Sequence, residues 1–267
     1  MRRPALQPDW PASWKLSHAY DELENHGSEK DLGYSYAYGE RVRHTLAAIR
    51  NVAPRGGRVL DIAAAQGNFS LRLAEAGYDV TSNDLRVELA DYVRLKHERG
   101  TIQFAAGNIF DLQFADPFDL VLLAEVIEHV AHPDELLRHV ATLVRPGGAI
   151  VLTTPNGGYF RNRLPRFGSL ADSTALEARQ FQPDADGHLY LMHDDDIRTL
   201  AAAAGLIVEH VVLFSTPLTS GWFGTHRLLP ILPAGVVAGT ESLASYLPRT
   251  VKRRVMTNLV AVLRRPT

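Results

Sequence analysis

The 267-residue sequence has no cysteine, which excludes disulfides and thiolate metal sites while leaving the redox compartment open. It has no excess of either charge. With 28 Lys+Arg against 30 Asp+Glu the net charge is −2, so no global field favours nucleic acid. No apolar run approaches the roughly 20 residues needed to span a bilayer. Arg2 and Arg3 open the chain, but Pro4, Pro8, Asp9 and Pro11 interrupt any apolar core there. The start therefore does not read as a secretory signal, and a cytoplasmic location is expected. Internal repeats and low-complexity tracts are absent. So is the Gly-x-Gly-x-x-Gly turn of a nicotinamide enzyme.

What is present is a rhythm. At 46% hydrophobic residues, a chain of this length builds one well-cored domain with insertions. Residues 1–37 read as an irregular N-terminal arm rich in aromatics. A helical pattern then covers Tyr38–Asn51. Strands are expected at Arg58–Ile62, Asp79–Asn83, Ile102–Ala106, Phe118–Ala124 and Ala149–Thr153. Helices are expected between them at Phe69–Ala76, Val87–Glu98 and Pro133–Val144, the last stopped by Pro146-Gly147-Gly148. This alternation implies a Rossmann-like, doubly wound α/β sheet. The rhythm resumes with a helix at Asp194–Ala204 and strands at Leu206–Phe214 and Val255–Leu263. Residues 156–192 and 215–250 read as insertions forming a substrate cap on the domain 38–267, because long insertions in a compact domain commonly wall a site.

The most telling segment is Val59-Leu60-Asp61-Ile62-Ala63-Ala64-Ala65-Gln66-Gly67, with Asp84 one β-α unit later. Small residues after a strand let the backbone approach a nucleoside, and a later acid suits ribose hydroxyls. Asp84 could equally cap a helix, and Asn108 could be a turn residue. Downstream lie Gly107-Asn108-Ile109, Phe118–Val121, Glu125-Val126-Ile127-Glu128-His129, Arg145–Gly148 and Thr154-Pro155-Asn156. In this order the set resembles class I S-adenosylmethionine-dependent methyltransferases, over roughly residues 38–214 with Val255–Leu263 matching the family's final hairpin. The resemblance implies a seven-stranded sheet with an antiparallel last strand and S-adenosylmethionine as cofactor. It places Asp61 near the methionyl amino group, with Ala63, Ala65 and Gly67 as the close-approach turn. It gives Asp84 the ribose and Leu85 and Asn108 the adenine, with Ile109 and Ala124 also in the cofactor site. Arg41 or Arg43 would bind the methionyl carboxylate, unless each is a solvated surface charge. Ala at positions 63 and 65, where the family has Gly, costs about 1–2 kcal/mol wherever the backbone is left-handed.

Glu125, Glu128 and His129 fall at i, i+3 and i+4, on one face if the segment is a helical turn. With His188 they resemble both ubiquinone-biosynthesis O-methyltransferases and small-RNA 2′-O-methyltransferases. In the second family the four groups hold a divalent metal; such a donor set suits Zn, Mn, Fe or Co better than Mg. Three readings stay open: metal ligation, His129 as a metal-free base with Glu128, and a structural cap. His132 and His193 read as helix lead-ins. The expected activity is methyl transfer to a hydroxyl of a phenol, sugar or polyketide-like small molecule. An RNA 2′-O-methyltransferase and a non-catalytic nucleoside-binding relative are the alternatives. A monomer or homodimer is expected; the apolar 215–250 segment reads as a lid, a dimer contact or a peripheral membrane contact, and the cluster Arg249, Lys252, Arg253, Arg254 as solvated surface or as a site for lipid headgroups or a phosphorylated carrier.

Overall fold

A computed structural model describes residues 1–27, 31–180 and 187–267. Residues 28–30 of the expected arm and 181–186 of the first expected insertion lie outside the described residues. Strands β1 (Arg58–Ile62), β2 (Asp79–Asp84), β3 (Thr101–Ala106), β4 (Phe118–Ala124), β5 (Val144–Pro155), β6 (Ile207–Phe214) and β7 (Asn258–Arg264) form one sheet. Their order is β3-β2-β1-β4-β5-β7-β6. The first five are parallel, and β7 runs antiparallel to both β5 and β6.

The central strands are apolar on both sides because both faces are covered. On one face Leu60, Val121, Leu123 and Ile150 pack with α5 (Pro133–Leu143) and α6 (Asp194–Ala203). On the other, Val59, Leu120, Leu122 and Val151 pack with α2 (Leu32–Val52) and α3 (Asn68–Glu75). Helix α4 (Leu89–Lys96) covers β2. Among the described residues no helix is long and apolar enough to cross a membrane.

Three departures from the sequence expectation have physical causes. The arm is not irregular: α1 (Ala12–Glu24) occupies it, and α2 starts at Leu32, where the Asp31 carboxylate accepts the Tyr34 N–H at 2.9 Å. The α1 residues that become buried are Ser17 and Asp21, both polar, so no hydrophobic stripe announces the helix. The second insertion carries α7 (Ala234–Ala244), and α8 (Arg249–Val255) starts at its end, each preceded by a proline at the N-cap, Pro233 and Pro248. Finally, the last strand begins at Asn258 rather than Val255, which ends α8.

Candidate active site

The turn after β1 runs in the left-handed region at three points: Ala63 (φ 54°), Ala65 (φ 49°) and Gly67 (φ 71°). Gly67 is required twice over, since a Cβ there would lie 2.6 Å from a Val93 methyl. The two alanines have no such relief, so the cost anticipated from sequence is present in the fold. The turn is held by Gly67 N–H donating to the Ala64 carbonyl (2.8 Å) and by Ala65 N–H donating to Asp84 (2.8 Å). Asp84 ends β2 and also accepts the Arg86 N–H (2.9 Å) and its Nε (3.0 Å). That ion pair is half exposed, so displacing Arg86 costs under about 1 kcal/mol. Beneath the turn, Asp61 is buried and accepts the Ser70 hydroxyl at 2.6 Å. Burial pushes its carboxyl up to about 7, against the Ser70 hydrogen bonds.

A cleft of about 800 Å³ opens at the carboxyl edge of the sheet, where open α/β folds bind ligands. Of the expected nucleoside residues, Asp61, Ala63, Ala65, Ala124 and Arg41 line it. Gly67, Asp84, Leu85, Asn108 and Ile109 do not. Asp84 instead joins Ala65 and Arg86 around a small adjoining recess. Leu85 is exposed, Ile109 is buried in the core, and the Asn108 side chain accepts the Phe110 N–H at 3.2 Å as a turn residue does. Of the two candidate arginines, Arg41 reaches the cleft, whereas Arg43 is exposed and paired with Glu40.

Glu125 directly follows β4 with φ 57°, a strained conformation for a side chain. Its carboxylate accepts the Thr153 hydroxyl at 2.9 Å and meets the Arg41 guanidinium at 2.9 Å. Burial works against the Arg41 charge, but Glu125, Tyr34 and Glu24 more than offset it and raise its pKa.

The one-face expectation for Glu125, Glu128 and His129 fails in part. Only Ile127–His129 forms a helical turn, of the tight 3₁₀ kind, and Glu125 precedes it turned toward Arg41. Glu128, His129 and His188 do converge: one ligand atom of each lies within 4.8 Å of the others. Glu128 is fully buried. Its Oε2 accepts the Thr154 hydroxyl at 3.0 Å, while its Oε1 has no hydrogen-bond partner among the described residues and stands 3.9 Å from His188 Nε2. Burial first, then the nearby Glu125 charge, pushes the Glu128 carboxyl well above the usual range. Burial lowers the His188 pKa.

His132 lies apart, paired with Glu177 at 2.7 Å, and His193 caps α6 in a reciprocal box with Asp196, as expected of helix lead-ins. The insertions meet through aromatic contacts: Phe160 stacks on Phe223 at 5.9 Å and Arg161 lies over the same ring at 4.7 Å. Sequence reasoning missed Glu24. It lines the cleft from α1 and accepts the Gln66 (2.7 Å), Asn68 (2.8 Å) and Tyr34 (2.8 Å) side chains. It lies 42 residues before the turn it supports, within a helix that had no sequence signal.

A methyltransferase-domain family model matches residues 34–211. A ubiquinone biosynthesis O-methyltransferase of Xanthomonas campestris pv. campestris (strain B100) is 36% identical over 230 residues, covering 82% of this chain and 92% of its own. An S-adenosylmethionine-dependent methyltransferase from Mesorhizobium loti shares the fold with a TM-score of 0.55 at 20% identity, over 82% of this chain and 96% of its own. The N-methyltransferase NodS from Bradyrhizobium japonicum WM9, in complex with S-adenosyl-L-homocysteine, does so with a TM-score of 0.55 at 15% identity, over 96% and 100%. With the matching sheet order and the cleft beside the β1 turn, these place the chain in the class I S-adenosylmethionine-dependent methyltransferases.

Proposed function

We propose that the chain methylates a hydroxyl of a small molecule, with Glu128, His129 and His188 holding that hydroxyl's oxygen end of the cleft. The observation that carries this reading is their convergence, with His129 and His188 lining the cleft and a buried Glu128 oxygen beside them that has no partner among the described residues. The name of the Xanthomonas relative, an O-methyltransferase, favours oxygen over nitrogen as the acceptor.

The sulfonium methyl is already activated, so the protein has to align the acceptor and remove one proton. Asp61 and Arg41, both on the cleft wall, suit the amino and carboxylate groups of the methionyl end. Asp84 suits the ribose once Arg86 is displaced. Two imidazoles and one carboxylate fit a divalent cation such as Zn, Mn, Fe or Co, because the unpartnered Oε1 and two ring nitrogens are the donors such an ion takes. When bound, the cation lowers the pKa of an acceptor hydroxyl. Glu125 is excluded from that donor set by its bonds to Arg41 and Thr153. The Thr154 hydroxyl orients Glu128, leaving its Oε1 toward His188. Without a cation, His129 is the group that accepts the proton.

The test is transfer of a labelled methyl group from S-adenosylmethionine to a panel of phenols, catechols, sugars and amines, run with and without chelator. The reading predicts labelled oxygen ethers. Labelling of amines alone would overturn it, and chelator separates the cation from the metal-free base.

A further inference from the structure

Residues 215–257 differ from the rest of the chain in charge. They hold five Lys or Arg and a single acid, Glu241, although the whole chain is slightly acidic. That acid is buried, accepting the Thr216 N–H at 2.6 Å and the Thr219 hydroxyl. The outer surface of the segment therefore carries no carboxylate of its own.

It does carry apolar side chains. On α7 the inward stripe is Val237, Glu241 and Ala244, at i, i+4 and i+7. About a third of a turn round the helix from it, Val236 and Leu243 form an exposed stripe, followed past the helix end by Tyr246. Leu243 is 74% exposed and Tyr246 83%. Ile231, just before the helix, is 75% exposed. An α-helix this apolar on its outward side leaves unfavourable contact with water. Cations flank it: Arg227 and Arg254 are exposed, and among the described residues no carboxylate pairs with them or with Lys252. The same segment runs back to the cleft, where Ser220 and Trp222 line the wall.

We propose that α7 and its flanks form a membrane-docking face that lays Ile231, Leu243 and Tyr246 into an anionic lipid surface while Arg227, Lys252 and Arg254 meet the headgroups. Charge complementarity selects this occupant: a segment with no exposed acid of its own and, among the described residues, unpaired cations before and after the helix matches a negatively charged bilayer. The face is built from residues outside the Glu128–His129–His188 set, so it stands whether or not the methyl-transfer reading holds.

The test is flotation of the full chain with phosphatidylcholine vesicles, with and without phosphatidylglycerol. The protein is expected to float with the anionic vesicles and less with the neutral ones. Ile231→Asp with Leu243→Asp, both at exposed positions, should keep the fold by circular dichroism and lose vesicle binding. Arg227→Gln with Arg254→Gln should weaken it about tenfold or more. A wild-type chain that floats with neither vesicle, or an aspartate variant that floats as well as wild type, would overturn the proposal. A wild-type dimer that the aspartate pair dissociates, with no vesicle binding, would overturn it in favour of a second copy of this chain.

Discussion

Arg41 of α2 and Glu125, the residue directly after β4, form an ion pair of 2.9 Å on the cleft wall, with side chains 18% and 17% exposed. The pair ties the helix covering the cofactor cleft to the loop that leads into Glu128 and His129. It also explains why Glu125 tolerates a positive φ: its N–H donates to the Thr153 carbonyl and its carboxylate is fixed by Thr153 and Arg41.

Removing one partner leaves the other partly buried and uncompensated. Arg41→Met should cost about 2 kcal/mol of stability, and Glu125→Gln a similar amount, with the double variant much less than the sum. Thermal melts of the four proteins give the coupling. Additive losses would show that the contact contributes nothing. Arg41→Met should also weaken S-adenosylhomocysteine binding if, as proposed, its guanidinium on the cleft wall takes the methionyl carboxylate.

Asp61 sets a pH dependence. Its folded pKa of about 7 lies above the ordinary 3.8, so the folded state prefers the protonated carboxyl. The stabilisation is fully present below pH 3.8 and is lost as pH rises through about 7; a shift of this size corresponds to about 4 kcal/mol as an upper bound. Asp61→Asn should therefore raise the melting temperature of the ligand-free chain at pH 8 and leave it nearly unchanged at pH 4. Equal effects at both pH values would contradict the assignment. Binding of a ligand ammonium should reverse the preference and release a proton at pH 6, measurable as a buffer-dependent heat.

The left-handed alanines make an opposite kind of prediction. Glycine at 63 or 65 removes about 1–2 kcal/mol of strain but gives the unfolded chain about 0.4–1 kcal/mol of extra entropy. Ala63→Gly and Ala65→Gly should each stabilise the chain by about 0.5–1 kcal/mol, seen as a rise in melting temperature. A fall would mean that the turn relaxes around the Cβ atoms.

Lys96 and Asp21 are 2% and 3% exposed and 2.7 Å apart, and Lys96 also donates to the Gln66 carbonyl (2.8 Å) and Asn68 (2.7 Å). This buried cation joins α1 and α4 to the cofactor turn. Lys96→Met leaves Asp21 buried without its counter-charge and should destabilise by about 3–5 kcal/mol. Lys96→Met with Asp21→Leu should recover much of that loss; no recovery would assign the cost to the two residues' other bonds, from Lys96 to Gln66 and Asn68 and from Tyr92 and Asn25 to Asp21.

The parallel sheet was legible because its strands are buried on both faces and read as continuous apolar runs, Phe118–Ala124 most plainly. The β1 turn was legible because small residues after a strand form a local pattern, and Glu128-His129 because an acid and an imidazole stand side by side in the chain. Helix α1 was not, since its buried positions are Ser17 and Asp21. Helices α7 and α8 hid behind Pro233 and Pro248, which look like breakers and act as N-caps. The separation of Glu125 from Glu128 depended on one positive φ and on a partner 84 residues earlier, Arg41, neither of which local periodicity encodes.

The most direct measurement is the divalent-metal content of the purified chain and of His188→Ala, read by elemental analysis. Of the two proposed roles, cation binding predicts about one ion per wild-type chain and loss of it in the variant, with the variant still folded and still binding S-adenosylhomocysteine. A wild-type chain that carries no ion after incubation with Zn, Mn, Fe or Co, or a variant that keeps the full content, would contradict the role given to Glu128, His129 and His188 in metal binding.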